Sequence, residues 1–182
     1  MFIAIEGVDG SGKSTLCAIL AKKLGATSYS TPPKKYLSFR ERVDNNASPE
    51  EHYKFYRNGI YDASKEIEVI IANKGKVVSD RYWLSTYTYH QVMGAQVSMN
   101  DFSQIILPTI TVILTINENI QIDRILARGM TAGDKRMLDQ QKELATAFYQ
   151  NVLKNGIPFL MIDTQRFTPE ACAEIIIKAV EL

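Results

Sequence analysis

Gly7-Val8-Asp9-Gly10-Ser11-Gly12-Lys13-Ser14 is a complete G-x-x-x-x-G-K-[ST] phosphate loop, extended by Thr15, and it follows the short apolar run Phe2 to Ile5. The segment after it reads as an amphipathic helix, with Leu16, Ile19, Leu20 and Leu24 on one face and Gly25 as its stop. Strand, glycine turn and helix in this order make a nucleotide site. Gly7, Gly10 and Gly12 permit torsions closed to residues with a Cβ, so successive N–H groups can turn inward around an anion. The helix start beside Lys13 adds its positive end, and Ser11, in the turn, contributes to the same cradle. Lys13 supplies a mobile ammonium for β- and γ-phosphates, and the Ser14 hydroxyl is the expected Mg²⁺ ligand. The natural occupant is a triphosphate, ATP.

Beyond the loop, composition limits little. The chain has 182 residues, 46% of them hydrophobic, and a formal net charge of +1, so no global field recruits nucleic acid or membrane. Its two cysteines, Cys17 and Cys172, lack zinc-like spacing and fall on apolar helix faces, as buried thiols in a reducing compartment would. The N-terminus leads straight into strand and loop, with no room for a signal peptide, and no apolar run approaches membrane-spanning length; the expectation is cytoplasmic residence.

Strands and helices alternate along the chain. Short strands are expected at Ala26 to Tyr29, Lys76 to Asp80, Ile110 to Ile116 and Phe159 to Ile162. Helices are expected from Pro49 to about Asn73, through Met93, from Ile120 to Leu153 with a break around Gly129 to Gly133, and from Pro169 to Val180. Ser30 to Lys35, with two prolines, reads as a loop. The order predicts an α/β fold: one doubly wound five-stranded parallel sheet with helices on both faces, a single domain spanning 1–182.

Asp80-Arg81-Tyr82 ends a strand, where open α/β sheets place their ligands. An acid there can hold Mg²⁺, and the neighbouring Arg can clamp a second phosphate group. Arg124, Arg128, Lys135 and Arg136 bracket Gly129-Met130-Thr131-Ala132-Gly133, a cation-bearing segment with glycine hinges. Phosphoryl transfer needs such a lid, here about 128–137, to meet developing charge and exclude water.

Together, the phosphate loop with Thr15, Asp80-Arg81-Tyr82 with Ser85-Thr86, and the Arg-rich flap resemble the thymidylate kinase family across essentially the whole chain. Phe55 to Ser64, Asp80 to Thr86 and Arg128-Gly129-Met130 are similar to its divergent pyrimidine branch, UMP-CMP kinase 2. The resemblance implies an ATP-dependent, Mg²⁺-requiring homodimeric kinase acting on a pyrimidine nucleoside monophosphate, with dTMP first and dUMP, dCMP, CMP or UMP as alternatives. It implies that Asp9 lies near the acceptor, Asp80 organises Mg²⁺, Arg81 grips the acceptor phosphate, Arg128 and Arg136 close over the donor phosphates, and adenine lies near Thr164 to Phe167. The arginine that reads thymine in family members falls here at Gly59 or Ile60, so it is missing or displaced to Arg57. Lys34 and Lys35 stand where an acidic loop is usual and are candidates for the acceptor phosphate; Phe55, Tyr56 and Tyr87, with Tyr89 and Gln91, are candidates for the base pocket.

Other classes stay open from the residues alone. A deoxynucleoside kinase would need a carboxylate base, for which Glu6 is the candidate; a nucleotide-binding module without catalysis would keep the loop. A regulatory GTPase would need Asn-Lys-x-Asp, which the chain lacks.

Overall fold

Phe2, Ile3, Ala4 and Ile5 are all buried because their strand, β1 (Phe2–Gly7), runs through the middle of a sheet covered on both faces. The computed structural model describes residues 1–181. The other strands are β2 (Thr27–Ser30), β3 (Val77–Asp80), β4 (Ile110–Thr115) and β5 (Phe159–Asp163), all parallel, in the order β2-β3-β1-β4-β5. The helices are α1 (Lys13–Leu24), α2 (Leu37–Asn46), α3 (Pro49–Ala72), α4 (Trp83–Val92), α5 (Glu118–Arg128), α6 (Ala132–Met137), α7 (Gln141–Lys154) and α8 (Pro169–Val180).

The pleat of β1 divides the core. Phe2 and Ala4 face a cluster with Ile60, Ile67, Tyr82, Leu84 and Phe148 from the α3, α4 and α7 side. Ile3 and Ile5 face Leu16, Leu20, Cys172 and Ile176 from α1 and α8. Alternate residues on opposite faces, each fully covered, explain the continuous apolar run. Cys17 and Cys172 are both buried free thiols in the second cluster, as expected. Burial pushes the Cys17 thiol well above its ordinary range.

From β1 the chain winds to β3 on one side and β4 on the other. The crevice at this switch point opens at the carboxyl ends of β1 and β3, where Ile5 pairs with Asp80. The phosphate loop and the Asp80-Arg81 pair are therefore neighbours by topology.

Local differences from the sequence reading have simple causes. Strand β2 begins one residue later than Ala26, since Gly25 and Ala26 close the end of α1 through bonds to Lys22 and Ala21 carbonyls. The break after α5 covers Gly129 to Thr131, with Gly133 helical in α6, and a 3-10 turn, Leu138–Gln140, interrupts the segment again before α7. Helix α2 was not anticipated. Its Leu37 and Phe39 are 52% and 57% exposed, so no buried apolar stripe announces it. Among the described residues, no helix is long and apolar enough to cross a membrane.

Helix α3 starts at a capping box: Ser48 Oγ accepts from the Glu51 N–H at 3.3 Å and Glu51 Oε2 accepts from the Ser48 N–H at 2.9 Å. Ser48→Ala is expected to cost about 1 kcal/mol. An unchanged urea midpoint would show that this cap contributes nothing.

Candidate active site

The cradle is built as its glycines require. Gly7, Gly10 and Gly12 have φ of 129°, 75° and 93°, and a Cβ on Gly7 would collide with the carbonyl oxygen of Leu114. Gly12 caps α1 without a side-chain bond, and no acid occupies the first turn, so the helix N–H groups keep their affinity for an anion. Lys13 Nζ folds back to donate to the Val8 carbonyl at 2.7 Å. Burial first, and then Arg81, lower its pKa to about 8. The Ser11 hydroxyl is buried with no hydrogen-bond partner, a polar atom left over inside the cradle.

A cavity opens over this loop, lined by Gly10, Gly12, Lys13, Ser14, Thr15, Asp80, Arg124 and Arg128 among others. Ser14 Oγ donates to Asp80 Oδ2 at 2.5 Å. Hydroxyl and carboxylate side by side are the hard oxygen donors that a small divalent cation takes when substrate phosphates and water complete its shell. Among the described residues there is no group of three or more His, Cys, Asp or Glu that could hold a metal without such help.

Arg81 follows β3 with φ 64°, a left-handed conformation that a non-glycine residue adopts only when its surroundings impose it. Its N–H bonds the Ile5 carbonyl at 2.9 Å. Nη1 donates to the Gly7 carbonyl and to Ser85 Oγ, both at 3.1 Å; Nη2 donates to Asp9 Oδ1 at 2.5 Å and to Tyr89 Oη at 3.1 Å. The guanidinium lies 4.8 Å from the Tyr89 ring centroid, and Tyr89 donates to Asp9 Oδ2 at 2.8 Å. Burial opposes ionisation of Asp9, yet Arg81, Lys13 and Tyr89 hold its carboxyl well below the usual range. Asp9 therefore spans from phosphate loop to Arg81 rather than capping its own turn.

A second cavity begins at this pair. Its walls are Asp9, Arg81, Ser85, Thr86, Tyr89 and His90 on one side, Arg40, Asp44, His52 and Tyr56 on another, and Thr131 to Met137 above. Asp9, Thr31, Arg40, Arg81 and Thr131 line both cavities. The two spaces meet at the Asp9–Arg81 pair.

Several expected residues do not reach the second cavity. Tyr87 is 6% exposed and packs on Trp83 and Phe102, whereas Tyr89, two residues on and across the helix, lines the cavity. Arg57 pairs with Asp101 at 3.6 Å and lies over Tyr53 and Tyr61. Phe55 packs edge-on against Tyr36 and Tyr56; of the α3 aromatics, Tyr56 reaches the cavity. Lys34 is exposed in a short 3-10 turn, and Lys35 is bound to Asp62 at 2.9 Å. Gly59, at the place of the displaced arginine, sits against Pro32, whose Cβ would be 3.0 Å from an added Cβ. Gln91 holds Asn151 instead.

The flap divides likewise. Arg128 lines the phosphate cavity and donates to Asp134 Oδ1 at 2.7 Å; Asp134 is 1% exposed and is held by Thr131. Arg124 donates to the Gly10 carbonyl at 3.4 Å. Arg136 is a correction: it donates to the Asp44 and Ala47 carbonyls at 3.0 and 2.7 Å, tying α6 to the end of α2 beside the second cavity and away from the phosphate loop.

Behind Arg81 lies Glu6, fully buried, accepting from the Tyr82 N–H at 3.1 Å and from the Ser85 hydroxyl. With both oxygens engaged, and on neither cavity wall, it serves structure rather than base catalysis. Burial raises its pKa to about 7, against the opposing pull of Ser85 and Arg81. A folded-state value above the ordinary 4.5 means its contribution to stability is whole at low pH and is lost as pH rises through about 7. From about pH 4 to about pH 8, wild type is expected to lose about 3 kcal/mol relative to Glu6→Gln in urea titrations. Parallel pH profiles for the two proteins would refute this.

Comparison with known proteins agrees with this layout. A family model described as Thymidylate kinase matches residues 5–175. A probable thymidylate kinase of Methanococcus maripaludis strain S2 is 32% identical over 177 residues, covering 90% of this chain and 86% of the relative. One from Archaeoglobus fulgidus is 28% identical, covering 83% and 82%. Among solved structures, thymidylate kinase from Candida albicans aligns with a TM-score of 0.78 at 18% identity, covering 99% of this chain and 90% of that one. Deoxyadenosine kinase from M. mycoides with bound dATP aligns at 0.75 and 20%, covering 100% of both. At such identities the structures speak for the fold, which both kinds of kinase share. The family match over nearly the whole sequence goes further: the chain belongs to the thymidylate kinase family, as an ATP-dependent nucleoside monophosphate kinase.

Proposed function

We propose that this kinase transfers the γ-phosphoryl group of ATP to dTMP. The observation that carries the reading is the shared wall of the two cavities: a triphosphate on the glycine cradle and a monophosphate at Arg81 would meet tail to tail. The first cavity takes the donor, with Gly10, Ser11, Gly12, Ser14 and Thr15 around its phosphates. Lys13 leaves the Val8 carbonyl to bind the β- and γ-phosphates. Arg124 and Arg128 compensate charge on the migrating group, and Asp134 aims Arg128. The second cavity takes the acceptor. Arg81 holds its phosphate, Asp9 and Tyr89 hold Arg81, and Tyr56 and Thr86 line the nucleoside end. No base is needed for the attack, because the acceptor oxygen is already anionic; positioning and charge compensation supply the rate.

Mg²⁺ fits beside Ser14 and Asp80, where it would offset phosphate charge. The segment from Arg128 to Met137 serves as the lid of a single domain. Homodimeric assembly, which rests on family resemblance alone, and cytoplasmic residence complete the reading. The thymidylate kinases among the relatives favour dTMP.

With ATP and dTMP, ADP release is expected, and dTMP is expected to outcompete dUMP, dCMP, CMP, UMP and dAMP. Release with thymidine but not with any monophosphate would overturn the reading. Lys13→Ala and Arg81→Ala are each expected to lower kcat/KM by at least about 10³ while leaving a folded protein. Arg128→Ala should lower kcat more than it weakens ATP binding. Wild-type turnover in Arg128→Ala would return that side chain to a purely structural pairing with Asp134.

A further inference from the structure

The chain has two histidines, and both line the second cavity in contact with each other. His52 Nδ1 lies 2.7 Å from His90 Nε2. At one end, His52 Nε2 is 3.1 Å from Asp44 Oδ1; at the other, His90 Nδ1 is 2.5 Å from the Thr86 carbonyl oxygen. A carbonyl can only accept, and so can a carboxylate. The line therefore has three contacts, each needing a proton, between two acceptors. Two neutral imidazoles carry only two N–H groups.

The third proton belongs to the imidazoles and not to Asp44. Asp44 Oδ1 also accepts from the Tyr56 hydroxyl at 2.7 Å, and Oδ2 accepts from Arg40 Nε at 3.3 Å. Burial opposes the charge on Asp44, but the bonds from His52 and Tyr56 and the nearby Arg40 hold its carboxyl below the usual range. Burial chiefly pulls His90 down to about 3.

We propose that His52 and His90 are positioning residues for the acceptor: three protons shared across their line make a charged pair that fixes Asp44, and through it Arg40 and Tyr56, on the cavity wall. The inference rests on the reading of that cavity as the acceptor site. His52 stacks on Tyr56 with ring centroids 4.7 Å apart, so the same ring also sets the tyrosine. The other groups facing the line are Arg40 from α2, Tyr53 and Tyr56 from α3 and Arg136 from α6, whose guanidinium is held by the Asp44 and Ala47 carbonyls. Burial raises the Tyr53 and Tyr56 hydroxyls, so neither supplies the missing proton.

As pH rises and the third proton leaves, one contact of the line, His52–His90 or His52–Asp44, is left with two facing acceptors. The wall loosens, and acceptor binding weakens while ATP binding does not.

Two measurements test this. Nitrogen-15 NMR of the imidazoles in the wild-type protein at neutral pH should show three protonated nitrogens and one bare one; two protonated nitrogens would overturn the charged pair. Calorimetric titration with dTMP should show affinity falling about tenfold on the alkaline side, which is about 1.4 kcal/mol. In His52→Gln and His90→Gln that dependence should vanish, with ATP affinity unchanged. A dependence that persists in folded variants would overturn the positioning role, and if the variants fail to fold, the wild-type proton count still decides. Failure of every monophosphate to bind would remove the acceptor assignment and the positioning role together, while the three-proton count would stand on its own.

Discussion

The half-buried pair between Asp9 and Arg81, with side chains 22% and 19% exposed, is the constraint on which the rest of the site depends. Removing either partner would leave the other's charge uncompensated on the cavity wall. Each partner belongs to a different strand end, Asp9 to the loop after β1 and Arg81 to the close of β3, so the pair locks the donor cradle to the acceptor cavity. The strained backbone of Arg81 is tolerated because its N–H and four guanidinium bonds all depend on that one conformation. Glu6 and Ser85 stand behind it and fix the turn from which it projects.

Around this seam the two cavities are made differently. The donor side is backbone: glycines with positive φ and an uncapped helix start, to which Lys13, Arg124 and Arg128 add mobile charge. The acceptor side is made of side chains from α2, α3, α4 and α6, held in a network of carboxylate, imidazole, phenol and guanidinium groups. A backbone cradle reads phosphate, common to all nucleotides. A side-chain wall is where one nucleotide can be told from another.

The sequence shows the first kind of site far better than the second. Phosphate-loop residues must stand at fixed spacing because one turn and one helix start position them all, and Asp80-Arg81 is legible because strand ends face ligands in parallel sheets. The acceptor wall has no such local rule. Arg40 and Asp44 share a helix face only once α2 exists, and that short helix buries just one residue, Asp44. In α4, nearly every residue is buried, so periodicity could not separate Tyr87, which packs in the core, from Tyr89, which faces the ligand space. His52 and His90 are thirty-eight residues apart and meet only because α3 and α4 pack side by side. Arg136 looked like a phosphate-binding cation from its neighbours in sequence, and it is consumed by two carbonyls.

The central claim is that the donor and acceptor phosphates converge at Asp9 and Arg81. A crystal structure with an adenosine–thymidine bisubstrate analogue joined through a phosphate chain tests it most directly. The account expects the adenosine-side phosphates on Gly10 to Ser14 and the thymidine-side phosphate against the Arg81 guanidinium, with the base among Tyr56, Thr86 and Tyr89. An analogue anchored on the glycine loop but directed away from Arg81, leaving the second cavity empty, would contradict it.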